Sequence, residues 1–578
     1  MKRGKAAKRS RGGASEETEN FLKALPVPGT DEVVFCALGG IGEIGMNAAL
    51  YGHDGKWLMV DCGITFADDQ DPGIDVIVPD LAPAQALGAN LLGVVLTHGH
   101  EDHLGAVPYV GSRLGVPVYA TPFTAAFLKR KLTDDGDGQV GVETIEAGGG
   151  FNLGPFSLRY LPVPHSIPEA QSLAITTPVG TVLHTGDWKM DPDPVVGKGF
   201  RRSRFEKLGD AGVLAMFCDS TNATVEGETG SEAALLAPIA DQIAAAPQRA
   251  VFTCFASNVA RLVTICRAAA SQGRNVALVG RSLKRMQEVA VSTGYWPDDM
   301  PALVEESHAG YLPREKAVIV CTGSQGEAQA ALARMAVGSH PHVTLEPGDT
   351  VIYSSKDIPG NERAIGRIRN RLLAAGLKIV TEEEADVHVS GHPAREELRK
   401  MYGLVRPKLA VPCHGETTHL YANEALAKEC GVPAVAQAPN GTVLRIRVDG
   451  AVDAGRIRTG RQAIDGGRTV SLSGDALKDR RRILHNGAVI VSAAVDRAGE
   501  VVADLEVTLH GLSDEDDTDL LDDVAALAEQ VLAATPGLDV DSQSAKIGAA
   551  IRRHFKVEFK KRPLVTVHLL LVDENALV

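Results

Sequence analysis

The ten residues Leu96 to Gly105, LTHGHEDHLG, carry three histidines and two acids. The apolar run LLGVV leads into them, so His98-x-His100-x-Asp102-His103 stands where a strand should end and a loop begin. At that spacing His98 and His100 can face one point while Asp102 and His103 turn towards a second. Two cations could therefore lie side by side. Two-metal sites hold their ions about 3.5–4 Å apart, where they activate water and stabilise the leaving oxygen of an in-line displacement. A polar loop could hold one histidine by accident, but three in so short a stretch argue for a site. Further donors close other strand-like runs: Asp61 in VDCG, His165 in VPHS, Asp187 in HTGDWK and His414 in PCHGE. A set made of imidazoles and carboxylates suits Zn²⁺ or Mn²⁺ better than the all-oxygen shells of Ca²⁺ or Mg²⁺. Cys62 and Cys413 adjoin this set but alternate to the opposite side of their strands, and read as core. His184 reads as a satisfied strand histidine rather than a ligand.

The elements that must position these groups come in two textures. From Val33, short apolar runs alternate with turns such as HDGK and PVGT, which predicts hairpins in a mostly antiparallel assembly. From about Thr221 the pattern becomes strand, small-residue loop, helix. RAVFTCFA passes through Ser257 and Asn258 into VARLVTICRAAASQG, NVALVG leads into RSLKRMQEVAVSTG, and KAVIVC passes through TGSQG into EAQAALARMA. That is a parallel α/β pattern. At ADVHVSGH and LAVPCHGE the first texture returns, again with histidines at strand ends, so the middle reads as an insertion. After about Gly460 a linker-like GRQAIDGGRTV precedes a third unit of two strands, two helices and the strand LVTVHLLLV. The resulting boundaries are 1–31 (a basic tail, expected to be solvated and disordered), 32–220, 221–385, 386–460 and 461–578.

One motif points elsewhere. Gly40-Ile41-Gly42-Glu43-Ile44-Gly45 fits G-x-G-x-x-G after a strand, with Asp61 at the distance of a ribose-binding acid. That fingerprint must open a helix, however, and MNAALYGHDGKWLMV alternates around a turn. A hairpin is expected and dinucleotide binding is set aside.

With 578 residues, 44% apolar and 23% charged, the chain can build several cores, and no run of about 18 apolar residues offers a membrane span. The start lacks the apolar segment of a signal peptide, and the eight cysteines form no C-x-x-C pair. The sequence is read as cytoplasmic, with reduced thiols and no membrane partner. A net charge of −14 argues against binding nucleic acid by bulk electrostatics. Anion sites at helix N-termini need no net positive charge. Candidates are Ser257-Asn258, Gly323-Ser324-Gln325 with Gly326, and Ser390-Gly391 before His392. The acidic stretch Leu512 to Asp523 reads as a solvated loop leading into a helix.

H-x-H-x-D-H followed by a lone His, the Asp of TGD and a late His resembles the motif series of the metallo-β-lactamase fold. FCDSTNA with Asp219, HVSGH with His392 and VPCHGE with His414 resemble the three motifs of its β-CASP branch, whose members cut nucleic acids. With LGGIGEIGMN, HSIPEAQSLAI, FASNVARL, CTGSQGE and SGHPAREEL, the chain from Val33 to Val578 resembles bacterial ribonuclease J. HSIPEA stands where the family more often has HSIPDA. The resemblance implies an αββα metallo-β-lactamase sandwich, an inserted α/β β-CASP domain and a small C-terminal α/β domain that supports assembly. It implies two divalent ions per chain, with His98, His100 and His165 on one, Asp102, His103 and His414 on the other, and Asp187 bridging. Asp61 and Asp219 would orient neighbouring groups, Asp187, Asp102 and His392 would be catalytic, and Ser390-Gly391 would take a terminal 5′-phosphate. The implied activity is hydrolysis of single-stranded RNA to 5′-monophosphates, 5′-to-3′ from monophosphorylated ends and also internally. A homo-oligomer, dimer or tetramer, and RNA-decay proteins are the implied partners. A DNA nuclease of the same branch, a small-molecule metallo-hydrolase and a noncatalytic subunit are the competing readings; the last should have lost ligands, and this chain keeps them.

Overall fold

The computed structural model describes residues 21–67, 70–134, 136, 139–496, 500–512 and 518–572. Most of the basic tail and residues 513–517 of the acidic stretch lie outside these. The chain forms two compact units, one of Val78–Gly460 with the chain up to Thr65, the other of Phe66–Ile77 with Arg461–Val578.

Two sheets make the centre of the first unit. One runs in the order Gly450–Arg456, Thr442–Arg447, Val33–Gly39, Ala48–His53, Lys56–Val60, Leu91–Val95, Val118–Ala120, Val142–Thr144. The other runs Gly150–Leu153, Phe156–Pro162, Gln171–Thr177, Gly180–His184, Ala215–Asp219, Leu409–Cys413, Ala434–Val435. Alternation in FSLRYLP turns Phe156, Leu158 and Tyr160 inward, where they meet Phe35, Tyr51 and Val95 of the facing sheet in one buried cluster. Phe35 and Phe217 close the gap, ring centroids 4.2 Å apart. Helices Arg202–Ala211, Arg395–Val405 and Thr417–Glu429 cover the outer face of the second sheet through Phe205, Leu398, Met401 and Leu426. The architecture is the αββα sandwich.

The sheets are mixed rather than mostly antiparallel. The short turns do give hairpins, Ala48–His53 with Lys56–Val60 among them, so the glycine-rich motif opens no helix. Where a connection carries a helix, as Pro122–Asp134 does between Val118–Ala120 and Val142–Thr144, the strands it joins are parallel. Parallel pairing of Lys56–Val60 with Leu91–Val95, and of Gly180–His184, Ala215–Asp219 and Leu409–Cys413 with one another, brings their C-terminal ends to a common edge in each sheet. Asp61, His98, Asp187, Asp219 and His414 all sit at such ends.

The insertion is a five-stranded parallel sheet in the order Asn275–Val279, Ala317–Cys321, Ala250–Thr253, Thr350–Tyr353, Lys378–Val380. Both of its faces are covered. Helix Val259–Ser271 packs on one, and Ala331–Ala336 with Glu362–Ala374 on the other. The helix expected over EAQAALARMA is only its second half, because Thr322 Oγ1 accepts from Ala331 N (3.2 Å) and starts the helix there.

In the second unit, Ala488–Val495 pairs antiparallel with Glu506–His510 and parallel with Leu564–Leu571. Helices Thr518–Ala533 and Val540–Glu558 bury Val524, Ala528, Ile547, Ile551 and Phe555 against Val489, Val491 and Val495. GRQAIDGGRTV is no linker: Arg461–Asp465 and Arg468–Ser471 form a hairpin turning on Gly466-Gly467. A helix unforeseen in the sequence, Asp475–Asn486, follows it.

Candidate metal centre

The opening motif is held by a backbone zipper. Cys62 N donates to His103 O (2.7 Å), Ile64 N to Glu101 O (3.0 Å) and Asn47 N to Asp102 O (3.0 Å). The approach is so close that a Cβ on Gly63 would stand 1.7 Å from Asp102 O, which fixes glycine there. Asp61 and His414 take positive φ, +62° and +49°, a strain that non-glycine residues accept where the surroundings dictate it. The glycine-rich motif finds its use beside them, since Ile41-Gly42 pairs in parallel with Gly415-Glu416, immediately after His414.

Three imidazoles converge first. His98 Nε2 and His165 Nε2 lie 3.1 and 3.0 Å from His100 Nδ1. Tetrahedral ligands about 2.05 Å from a zinc ion stand about 3.3 Å apart, so this spacing fits a shared cation. Asp102, His103 and His414 form the second set, with Asp102 Oδ2 3.4 Å from His103 Nε2 and 3.6 Å from His414 Nε2. Asp187 joins them. Its Oδ2 lies 3.3 Å from His103 Nε2, 3.5 Å from His414 Nε2, 3.6 Å from His165 Nε2, 3.7 Å from His98 Nε2 and 3.8 Å from His392 Nδ1. Asp187 Oδ1 is buried without a hydrogen-bond partner. An unsatisfied carboxylate oxygen in a buried imidazole–carboxylate cluster is what a cation would complete.

Second contacts fix the ring orientations. Asp61 Oδ2 accepts from His103 Nδ1 (2.7 Å) and Thr97 Oγ1 (2.9 Å), and that hydroxyl also meets His98 Nδ1 (2.9 Å). Gly391 O accepts from His165 Nδ1 (2.7 Å), which leaves Nε2 free to face His100. Such partners set the tautomer and raise ligand basicity. Thr97, Asn47, whose Nδ2 contacts Asp102 O and His103 Nε2, and Ser166, 3.3 Å from His100 Nε2, were not singled out in the sequence. Thr97 lay inside the opening motif, but a hydroxyl adds nothing to a metal-ligand spacing pattern. His184 is the satisfied strand histidine expected, bonded to Tyr51 Oη (2.9 Å).

Charge divides the two sets. Burial drives His98 and His165 well below the usual imidazole range and His100 down to about 4, so all three are neutral. Burial also opposes charge on His103 and His414, but carboxylates outweigh it, Asp187 foremost, and both are raised. Burial likewise opposes charge on His392; Asp219, 2.9 Å from its Nδ1, and Asp187 lift it to about 9.

The loops predicted to bind phosphate differ among themselves. Ser390 Oγ accepts from Asn222 Nδ2 (2.9 Å) and His392 N (3.2 Å), which leaves its proton to donate. A Cβ on Gly391 would stand 2.7 Å from His165 Nδ1, so this glycine also serves the metal cluster. Asn258 caps its helix, Oδ1 accepting from Arg261 N (2.9 Å). Ser324 and Gln325 are buried; Gln325 bonds Lys356 O and Ile358 N, and the loop containing Gly323 does not enter a helix directly.

Fold and site together define a metallo-β-lactamase-type hydrolase with a β-CASP insertion. Residues 41–199 match the metallo-beta-lactamase superfamily, 247–372 the ribonuclease J beta-CASP domain, 378–437 a Zn-dependent metallo-hydrolase RNA specificity domain, and 475–572 the ribonuclease J C-terminal domain. Ribonuclease J of Sinorhizobium meliloti is 40% identical over 94% of this chain and 98% of its own length. The ribonuclease J of Mycobacterium tuberculosis is 37% identical over 85% and 89%, and that of Thermus thermophilus 34% over 82% and 84%. A solved structure of a protein of unknown function from Enterococcus faecalis shares the fold, with a TM-score of 0.51 at 16% identity over 72% of this chain and all of that one. The chain belongs to the ribonuclease J family, and it is a metal-dependent ribonuclease. Family membership decides between the RNA and DNA readings. Among the described residues no helix is long and apolar enough to cross a membrane.

These charges give the metal-free chain a stability profile with two limbs. A histidine held neutral by burial costs stability as pH falls below about 6.5, because the unfolded chain then binds protons that the folded chain refuses. His100, lowered to about 4, sets that window at about 6.5 down to 4, with His98 and His165 acting in the same sense. His392 acts oppositely: its contribution is complete below about 6.5 and is lost as pH climbs through about 9. Urea unfolding of chelator-treated protein should therefore show maximal stability near neutral pH and a decline on both sides. A stability still rising at pH 9 would contradict this assignment.

Proposed function

We propose that the two donor sets hold two divalent ions per chain, Zn²⁺ or Mn²⁺. His98, His100 and His165 would bind one, Asp102, His103 and His414 the other, and Asp187 would lie between them. The observation that carries this reading is the position of Asp187 Oδ2, within 3.7 Å of imidazole nitrogens from both sets. Bound there, the ions would activate water and neutralise charge on a phosphodiester. The chain's own residues do the rest. Asp187 and Asp102 would balance the cation charge. Asp61 keeps His103 in the tautomer that presents Nε2. Asp219 accepts a hydrogen bond from His392 Nδ1, so the proton that His392 can give to the departing 3′ oxygen is the one on Nε2. Breaking that P–O3′ bond leaves the phosphate on the new 5′ end.

The substrate is RNA, taken as a single strand. Removal proceeds 5′ to 3′ from a monophosphorylated end held by Ser390, Gly391 and His392, with internal cleavage as a second mode, and serves RNA maturation and decay in the cytoplasm. Ser257 and Gly323 line the path beside Asn258, Ser324 and Gln325, which do so through their backbone because their side chains are committed within the fold. Residues 32–220 and 386–460 carry the metals, 221–385 grip the RNA, and 461–578 support assembly into a dimer or tetramer, with RNA-decay proteins as further partners.

Elemental analysis of the purified protein should return about two ions per chain. Chelation should abolish cleavage of end-labelled RNA, and Asp187→Ala should lower activity more than loss of any single imidazole. A metal-free protein with full activity ends the proposal.

The end-binding pocket has its own test. A charge-assisted hydrogen bond contributes about 1.5–3 kcal/mol, so Ser390→Ala should slow digestion of 5′-monophosphorylated RNA roughly tenfold to a hundredfold. Cleavage within a chain should change little. Equal slowing of both reactions would assign Ser390 to general backbone binding instead.

A further inference from the structure

Two catalytic loops reach the metal cluster from different parts of the chain, one with Asp187, the other with His392. A buried carboxylate ties them together. Glu397, 2% exposed in the first turn of helix Arg395–Val405, accepts three backbone N–H groups. Met190 N donates to Oε1 (2.8 Å), Thr229 N to Oε2 (3.0 Å), and Ala394 N to Oε2 (2.9 Å). Met190 lies three residues after Asp187 in the same loop, and its neighbour Lys189 donates its N–H to Pro164 O (2.9 Å), beside His165. Ala394 lies two residues after His392. Thr229 belongs to neither loop, yet its Oγ1 donates to His392 O (2.7 Å), the carbonyl that Asn222 Nδ2 also reaches (3.1 Å).

We infer that Glu397 and Thr229 form a positioning clamp that sets where His392 stands relative to Asp187. The inference rests on His392 acting in the reaction, as argued above. An ordinary helix cap would need only the Ala394 contact; the bonds to Met190 and Thr229 cross to two other segments, one carrying Asp187 and the other holding His392 O. A carboxylate can accept on both oxygens at once. Glutamine cannot, since its Nε2 would face an N–H, so Glu397→Gln must release Met190 from one side or Thr229 and Ala394 from the other. Thr229→Val removes only the hydroxyl that holds His392 O and leaves no buried charge unpaired.

Misplacing a reacting group by about 1 Å can cost up to about a hundredfold in rate without weakening substrate binding. With 5′-monophosphorylated RNA, both variants should lose roughly tenfold or more in kcat while KM stays within about twofold and metal content stays at the parent level. Groups that act through one another are not additive. Placed on His392→Ala and followed in single-turnover reactions, each should therefore slow cleavage no further. A clamp with only a structural role would cost the same factor in both backgrounds, and that result overturns the inference. So does an unchanged kcat with a lowered Tm. If Glu397→Gln does not fold, Thr229→Val decides alone. His392→Ala at the parent rate removes the catalytic reading of His392 itself, whereas a slow His392→Ala beside a fully active Thr229→Val removes only the clamp.

Discussion

Everything at this site follows from burying the Asp187 carboxylate, 1% exposed, within 3.8 Å of five imidazole nitrogens. A carboxylate removed from water is tolerated only when positive charge or hydrogen bonds replace the hydration it loses. With cations absent, protons on His103, His414 and His392 supply that charge, and the three histidines of the other set stay neutral. Ions bound at this cluster would exchange for some of those protons, which would make loading and pH a single equilibrium. The αββα sandwich serves this exchange by delivering ligands from strand ends of both sheets, where the backbone is already fixed by its ladders and only the side chains project.

The same arrangement reconciles an acidic chain with a polyanionic substrate. A net charge of −14 would repel RNA if it were spread evenly over the surface. On the proposed reading attraction would be local, from the cations and the backbone N–H groups of the surrounding loops. Aromatic residues make up only 4% of the chain, so stacking on bases is limited and recognition falls mainly on the phosphates and the terminus. A nuclease that digests whatever transcript presents a suitable end needs that indifference to sequence.

Much of this clustering was legible in the sequence because imidazole and carboxylate residues recur there at tight spacing. His98, His100, Asp102 and His103 fall within one turn of chain, and His165, Asp187 and His414 stand at strand ends that periodicity marks. The inserted parallel sheet could be read for the same reason, from apolar runs alternating with helical stretches. What could not be read depends on pairings between distant segments. Thr97 and Asn47 look ordinary until the backbone zipper from Asp61 to Ile64 brings them onto the motif. Glu397 lies in SGHPAREEL with nothing in its spacing to mark it, yet it is buried because three segments converge on it. The mixed character of the sheets was hidden because a strand's own pattern does not record its neighbour's direction. The hairpin at Gly466-Gly467 was available as a two-glycine turn, and its polar flanks made it look like a linker.

The proposed site depends on one carboxylate joining two cations. Electron paramagnetic resonance of protein loaded with Mn²⁺ tests it most directly, since two ions sharing a bridge couple magnetically and isolated ions do not. The parent chain should give a coupled two-ion spectrum, replaced in Asp187→Ala by the signal of single ions. An uncoupled six-line spectrum from the fully loaded parent would contradict it.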